Sequence, residues 1–174
     1  MKLDCRRDAD GFHLQAMDIE LKVYPEQLFA FIQTKTTFTG LRATVEANLG
    51  PLMELSQTLG EPRPMTFFYR DVTGMDQEFT LQLALPIQEC EQSKLGTSLK
   101  VKRVLPHACA YTTFTGSYDG LMGAWMQFYG GCEAQGYQTA NEGREIYLKF
   151  DGDAASAENV TELQMAVLGQ TLGV

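Results

Sequence analysis

One carboxylate in the sequence stands among apolar residues. Glu162 lies in the run from Val160 to Val167, close to Leu163 and Met165, and this run contains no basic residue. An ionised carboxylate that loses its water costs free energy unless a partner compensates it. At the floor of an aromatic-walled cavity it would bind a lipophilic cation, which gains apolar burial, cation–π attraction and charge neutralisation. The simpler interpretation is that Glu162 faces water on the open side of an antiparallel sheet, as carboxylates usually do.

Strand alternation predicts which side chains accompany Glu162. Successive side chains of a strand point to opposite faces, so residues two apart share a face. By this rule Phe67 shares a face with Tyr69, Glu145 with Tyr147 and Lys149, and Glu162 with Gln164 and Ala166. We assign these three groups to one ligand-binding face. The opposite face is then expected to pack against helices through Ile146, Leu148, Phe150, Leu163, Met165 and Val167.

Two aromatic residues from a predicted helix complete the candidate site. Trp125 follows Tyr118 in this segment and shares helical spacing with Phe128 and Tyr129, which is more typical of core residues than of ligand contacts. The candidate ligand-binding residues are Glu162, Tyr147, Glu145, Tyr69, Phe67, Trp125, Tyr118 and Gln164.

An internal repeat indicates how these residues are brought together. Residues 36–40, Thr-Thr-Phe-Thr-Gly, recur letter for letter as residues 112–116, an offset of 76. The same offset pairs Val45 with Leu121, Leu49 with Trp125, and the helix-terminating Gly60 with Gly136. Beyond these glycines the offset becomes 80, which pairs Phe67 with Tyr147 and Gln82 with Glu162. We therefore expect a single domain over residues 1–174, with one repeat at about 17–88 and another at about 98–168.

Each repeat is predicted to contain a strand, a helix and two further strands. In repeat one, the first strand covers residues 19–31 and the helix covers 41–59 with a break near Gly50, because Pro51 lies inside its apolar pattern. Strands at 65–69 and 79–87 follow. Repeat two repeats this order at 99–114, 118–135, 145–150 and 159–168. The fold class is α+β: a duplicated β-α-β-β repeat with pseudo-twofold symmetry, whose antiparallel sheet has helices on one face and a central ligand cavity on the other.

Composition argues against several classes of partner. The 174 residues carry a formal net charge of −8, so we expect no direct binding to nucleic acid or to anionic membranes. The four cysteines form no Cys-x-x-Cys pair, and His13 and His107 have no metal-ligand spacing, so neither a metal site nor a cofactor is expected. With charged residues at the N-terminus and no long apolar run, the sequence predicts a cytoplasmic protein.

Several short segments stand in an order that resembles a known family. They are Pro-Glu-Gln at 25–27 with Ile-Gln-Thr-Lys-Thr at 32–36, Gly-Ser-Tyr-Asp-Gly-Leu at 116–121, Arg-Glu-Ile-Tyr-Leu at 144–148 and Thr-Glu-Leu at 161–163. Together they resemble the GyrI-like effector-binding domain, which is found at the C-terminus of multidrug-responsive MerR and AraC regulators and in stand-alone gyrase-inhibitor-like proteins. The resemblance covers about residues 17–168.

The resemblance implies a central cavity that binds lipophilic, often cationic, compounds. It assigns charge recognition to Glu162 and a place in the cavity wall to Tyr147. Where the family usually has a late aromatic residue in the second helix, this chain has Gly131, which either enlarges the cavity or ends the helix early. The family's DNA-reading domain is not recognisable before Met17.

Three functions are compatible with these features. The leading hypothesis is a stand-alone protein that binds small lipophilic compounds, cationic or aromatic, and so senses or sequesters them. The second is a hydrolase of reactive toxins such as cyclopropanoids, implied by some stand-alone relatives, in which Glu162 and Tyr147 would be the catalytic acid–base pair. The third is a gyrase-inhibitor-like modulator that binds a basic protein partner through its acidic surface.

Overall fold

One antiparallel sheet of eight strands organises the fold. The structure is a computed structural model that describes residues 17–169. The strands are β1 (Glu20–Tyr24), β2 (Gln27–Thr36), β3 (Thr66–Arg70), β4 (Phe79–Ile87), β5 (Lys100–Val104), β6 (His107–Thr115), β7 (Thr139–Lys149) and β8 (Val160–Val167). The α-helices are α1 (Leu41–Asn48), α2 (Gly50–Leu59) and α3 (Leu121–Ala134), with short 3₁₀ helices at Glu89–Lys94 and Tyr118–Gly120. The strand order is β1-β6-β8-β7-β3-β4-β2-β5, which confirms the predicted α+β class.

The first strand of each repeat is divided in two, which the sequence did not reveal. Residues 19–31 were predicted as one strand, but β1 ends at Tyr24 and β2 begins at Gln27, on either side of Pro25. Proline has no N–H to donate to a sheet, so the ladder is interrupted there. β1 pairs with β6 and β2 pairs with β4 and β5, so the two strands lie in different halves of the sheet. Pro106 separates β5 from β6 in the same way.

Strand pairing in the two halves follows a constant offset of 80. Adding 80 to the pair Ala30↔Leu85 gives the observed pair Ala110↔Met165. Ladder β7–β8 is the exception, since its register is displaced by two residues relative to β3–β4. The predicted offset of 76 across the Thr-Thr-Phe-Thr-Gly match is therefore wrong: Thr36 ends β2, whereas Thr112 lies inside β6. The identical letters occupy different places in the sheet.

Helices cover one face of the sheet in two clusters. Pro51 breaks the first helix as predicted, because α1 ends at Asn48 and α2 begins at Gly50 with the proline in its first turn. Leu52 and Leu55 of α2 pack on the apolar side chains of β2, β3 and β4. The second cluster joins Leu121, Ala124, Phe128 and Cys132 of α3 to Leu163, Met165 and Val167 of β8. None of the helices in residues 17–169 is long and apolar enough to span a bilayer.

The face opposite the helices, the concave face, brings side chains from separate strands into contact. The strand order places β1 three strands from β7, which in a flat sheet would be about 14 Å. Nevertheless, the guanidinium carbon of Arg144 in β7 lies 5.4 Å from the centre of the Tyr24 ring in β1. A second apolar cluster of Phe29, Phe31, Phe68 and Ala84, with Tyr24 and Val104 against it, fills part of this concave face. The predicted position of the ligand cavity is therefore partly occupied by packed side chains.

Gly131 allows α3 to pack against Ile19, the residue that precedes β1. The helix continues past it to Ala134, so the second of the two alternatives, an early end of the helix, does not occur. A Cβ at this position would collide with Cδ1 of Ile19, which packs against the α3 cluster. The missing side chain therefore makes room for Ile19.

Substituting the two adjacent glycines of α3 tests this interpretation. Gly130→Ala has open space around its new Cβ and should raise the free energy of unfolding by about 0.5–1 kcal/mol through helix propensity. Gly131→Ala should raise the free energy of unfolding by less than this, or should lower it, because Ile19 must move to make room for the new methyl group. In an Ile19→Ala background the two substitutions should become equivalent in urea denaturation. If they are already equivalent in the wild-type background, Ile19 does not determine the need for glycine.

Candidate functional site

The register of β7 and β8 divides the predicted site between the two faces of the sheet. Paired residues share a face, and Glu145 pairs with Leu163 whereas Ile146 pairs with Glu162. Leu163 packs against α3, so Glu145 lies on the helix side and Glu162 on the concave side. The prediction that these two glutamates share a face is wrong. Alternation within a strand was read correctly, but the register between strands is absent from the sequence pattern.

Six of the eight candidate residues meet on the helix side, and two do not. Strand alternation and packing place Phe67, Tyr69, Tyr118, Trp125, Glu145 and Tyr147 together, whereas Glu162 and Gln164 lie on the concave face. Leu163, Met165 and Val167 contact the helix as predicted. Ile146, predicted among them, is on the concave side, and the side chains of Leu148 and Phe150 are exposed to solvent.

Glu145 is the centre of the helix-side group. Only 3% of the residue is exposed. Its Oε2 accepts hydrogen bonds from the hydroxyl groups of Tyr69 at 2.6 Å and Tyr147 at 2.5 Å, and its Oε1 accepts one from Nε1 of Trp125 at 2.7 Å. Among residues 17–169 no basic side chain forms an ion pair with it. A buried carboxylate is thus held by three neutral donors.

Burial controls the acid–base properties of this group. Loss of water raises the pKa of Glu145 above its ordinary value, while the hydrogen bonds from Tyr147, Tyr69 and Trp125 offset part of that effect. Desolvation and the nearby carboxylate raise the pKa of Tyr69 and Tyr147 well above the usual value, so both phenols remain protonated donors. The environment therefore favours occupation of the site by a positive charge.

The central ladder between β3 and β7 positions these side chains. Phe67 pairs with Glu145 and Tyr69 pairs with Gly143, so all four face the same helices. A Cβ on Gly143 would lie 2.8 Å from Cη2 of Trp125. The glycine therefore lets the indole lie close to the sheet, from where its N–H reaches Glu145.

Aromatic rings surround the carboxylate and extend to the surface. Tyr147 is 4.7 Å from Phe67 and 5.2 Å from Tyr118 between ring centres, and Tyr69 is 6.4 Å from Trp125. Tyr118 in turn stacks on Phe150, which is 59% exposed. These rings form a series of aromatic contacts that leads from the buried carboxylate to the surface.

Thr161 adds a polar atom to this region. It pairs with Tyr147 in the β7–β8 ladder and shares its face. Its Oγ1 is buried and has no hydrogen-bond partner among the described residues. Such a hydroxyl carries a desolvation cost that a ligand can relieve. No sequence pattern pointed to Thr161, because threonine is a common residue in strands.

Glu162 has a partner that sequence reasoning missed. Its Oε1 accepts a hydrogen bond from Nζ of Lys22 at 2.5 Å, and the side-chain amide of Gln164 donates to the same oxygen. Lys22 lies in β1, which the division at Pro25 carries to this half of the sheet. Glu162 is therefore a paired carboxylate rather than an uncompensated one.

A concavity elsewhere shares no residue with the Glu145 site. It has a volume of about 250 Å³ and is lined by Gln27, Glu61, Arg63, Pro86, Ile87 and Gln88. Arg63 and Glu91 form a bidentate ion pair beside it, with distances of 2.6 and 2.7 Å. This ion pair is a structural link between the β2–β4 end and the 3₁₀ helix at Glu89–Lys94.

Known structures share this fold. The crystal structure of the EcmrR C-terminal domain matches with a TM-score of 0.69 and 18% identity, covering 88% of this chain and 98% of that one. SAV2435 bound to tetraphenylphosphonium matches with a TM-score of 0.66 and 13% identity, over 88% and 95% of the two chains. A hydrolase from Listeria innocua matches with a TM-score of 0.57 and 15% identity, covering 91% of this chain and 96% of that one. No curated protein is significantly similar in sequence.

The sequence itself matches a family model. The model of the GyrI-like small molecule binding domain covers residues 17–168, which is most of the chain and the same range as the resemblance seen in the short segments. The C-terminal domain of EcmrR has the same fold. The chain therefore belongs to the GyrI-like small molecule binding domain family.

Proposed function

We propose that the protein binds lipophilic cations and that Glu145, rather than Glu162, recognises their charge. The observation that carries this proposal is a carboxylate with 3% exposure whose three hydrogen-bond donors are all neutral. A cation that replaces one of these donors would neutralise the buried charge. It would also gain cation–π attraction and apolar burial against the surrounding rings.

The aromatic rings supply both selectivity and a route of entry. Trp125, Tyr118 and Tyr147 are partly exposed, whereas Glu145 is buried beneath them. A ligand that enters beside Phe150 would displace the indole or a phenol from the carboxylate. The displaced donor loses its hydrogen bond to Glu145 and requires a new partner. Binding is therefore limited to compounds whose charge and apolar area offset the loss of that hydrogen bond.

One structural neighbour supports the proposed ligand class. SAV2435 was solved with tetraphenylphosphonium, a cation whose charge is enclosed by four phenyl rings. An ion of this kind has no hydrogen-bond donor and would interact with Glu145 through charge and aromatic contact alone.

Titration of tryptophan fluorescence tests which glutamate recognises charge. Trp125 is the only tryptophan of the chain and donates a hydrogen bond to Glu145, so its emission should change when tetraphenylphosphonium binds. Glu145→Gln should weaken binding at least tenfold, about 1.4 kcal/mol. Triphenylphosphine oxide, a neutral analogue, should show a much smaller difference between wild type and variant.

The matched control is the same substitution on the concave face. Glu162→Gln removes an equal charge and should leave the affinity within about twofold, because Glu162 is engaged by Lys22. Circular dichroism establishes that both variants are folded. If Glu162→Gln weakens binding and Glu145→Gln does not, the assignment made here is wrong and the one predicted from the sequence is right.

The affinity should also depend on pH in a defined direction. Burial raises the pKa of Glu145, and only its ionised form attracts a cation, so affinity should increase as pH rises through that elevated pKa and then level off. At a pH below the range where the affinity levels off, Glu145 is partly protonated, so binding of a cation releases a proton from it. Calorimetry in two buffers with different ionisation enthalpies measures that release. Affinity that is constant from pH 5 to pH 8 would show that Glu145 titrates below this range.

A hydrolytic function is the second candidate, with a corrected pair of residues. The predicted pair of Glu162 and Tyr147 is separated by the sheet, because Tyr147 pairs with Thr161 and its phenol contacts Glu145 at 2.5 Å. Glu145 with a raised pKa is suited to take a proton from water while Tyr147 protonates the leaving group. Direct transfer from Glu145 to the phenolate would then restore both groups. The Listeria innocua neighbour is described as a hydrolase.

A turnover assay separates binding from hydrolysis. If the protein is a hydrolase, an electrophilic cyclopropane-containing compound should be consumed with incorporation of one water oxygen. Glu145→Gln and Tyr147→Phe should then each lower kcat at least 100-fold. The Glu162→Gln variant is again the matched control and should retain activity. If the wild-type protein binds such compounds but does not consume them, the hydrolytic function is wrong and only the binding function remains.

A further inference from the structure

Two lysines occupy corresponding positions on the concave face but have different partners. Lys22 in β1 and Lys102 in β5 are related by the offset of 80 that relates the strand pairings. Lys22 pairs with the carboxylate of Glu162. The residue that corresponds to Glu162 is Gln82, and Nζ of Lys102 donates a hydrogen bond to its side-chain oxygen. One half of the sheet thus has an ion pair where the other has a lysine and a neutral amide.

Lys102 has no carboxylate partner in the described part of the chain. No acidic oxygen of residues 17–169 is within ion-pair distance of its Nζ. The amide of Gln82 is fixed in its role as acceptor, because its Nε2 donates to Oε1 of Gln33 at 2.8 Å. The ammonium group lies 3.1 Å from the centre of the Phe68 ring and 5.6 Å from that of Phe31. Its surroundings are aromatic and neutral.

The nearest formal charges make this region more positive. Arg70 of β3 and Arg144 of β7 both repel the charge of Lys102, and among residues 17–169 Glu142 of β7 is the carboxylate that attracts it. Glu142 is already engaged by both arginines, at 3.3 Å from Arg70 and 2.9 Å from Arg144. Burial is the main reason that the pKa of Lys102 falls to about 7. An added negative charge would therefore be stabilised here, although the chain as a whole is acidic.

We propose that Lys102, Gln82 and the rings of Phe68 and Phe31 form a binding site for a small organic carboxylate. The ligand's carboxylate would supply to Lys102 the counter-charge that Glu162 supplies to Lys22. Phe68 is fully buried and Phe31 is only 9% exposed, so an apolar or aromatic body would lie at the surface beside the partly exposed Lys102. This site is on the face opposite Glu145, so it does not depend on the proposed function. It would allow an anion and a cation to bind to the two faces of one sheet.

Isothermal titration with benzoate tests the site directly. Wild-type protein should bind one benzoate, and benzamide, its neutral isostere, should bind at least tenfold more weakly. Binding at pH 8 should take up nearly one proton, against about half a proton at pH 7, because the bound anion requires the ammonium form of Lys102. His107 lies beyond Arg144 and its pKa is lowered by burial, so it contributes little at pH 8.

Three variants distinguish this site from a general effect of charge. Gln82→Glu copies the other half of the sheet, supplies an internal counter-charge and should lower benzoate affinity at least tenfold while the protein stays folded. Lys102→Gln should lower it to the same extent. Lys100→Gln removes a charge from the same strand, where the lysine is exposed, and should retain affinity within twofold.

Three outcomes would overturn the proposal. The wild type shows no saturable binding of benzoate, it binds benzamide with equal affinity, or the Gln82→Glu variant binds benzoate as tightly as the wild type does. A loss in Lys100→Gln as large as in Lys102→Gln would likewise show that only net charge matters. Thermal unfolding of each variant confirms that an observed loss is not a loss of fold.

Discussion

The register of the central β3–β7 ladder is the constraint on which the rest of the structure depends. It is the contact between strands that joins the two halves of the sheet, and it sets Phe67 opposite Glu145 and Tyr69 opposite Gly143. A displacement by one residue would move every side chain of β7 to the other face. Glu145 would then leave Tyr69, and Trp125 would lose the glycine against which it packs. One ladder thus decides both the core and the site.

The buried carboxylate is a cost that packing alone does not explain. Removing an ionised carboxylate from water costs several kcal/mol, and neutral hydrogen bonds recover only part of that. The raised pKa of Glu145 expresses the same imbalance. At the corresponding position just before β3, the apolar Met65 packs against the core. This cost supports our proposal that the site takes a cationic ligand.

Much of the local structure could be predicted from the sequence, and most of the site geometry could not. The break at Pro51 and the ends of the helices follow from local chemistry, since Gly60 and Gly136 have φ angles of 74° and 76°. Lys22 was not recognised as the partner of Glu162 because 140 residues separate them. The split at Pro25, which brings them together, depends on pairing with the other repeat. Long-range register has no period that a single sequence displays.

Outside the displaced β7–β8 ladder, the two halves keep the same strand pairing while their charged residues differ. On the helix side, the second half has Glu145 and Tyr147 where the first has Met65 and Phe67, so it supplies the acidic site. On the concave side the first half has Gln82 in place of a glutamate, which leaves Lys102 without a counter-charge within the described chain. Each half therefore has one uncompensated charge of opposite sign, on opposite faces. Because β2 pairs with β4 in the same register as β6 pairs with β8, the difference between Gln82 and Glu162 is one of side-chain identity, and substituting Gln82 should convert one arrangement into the other.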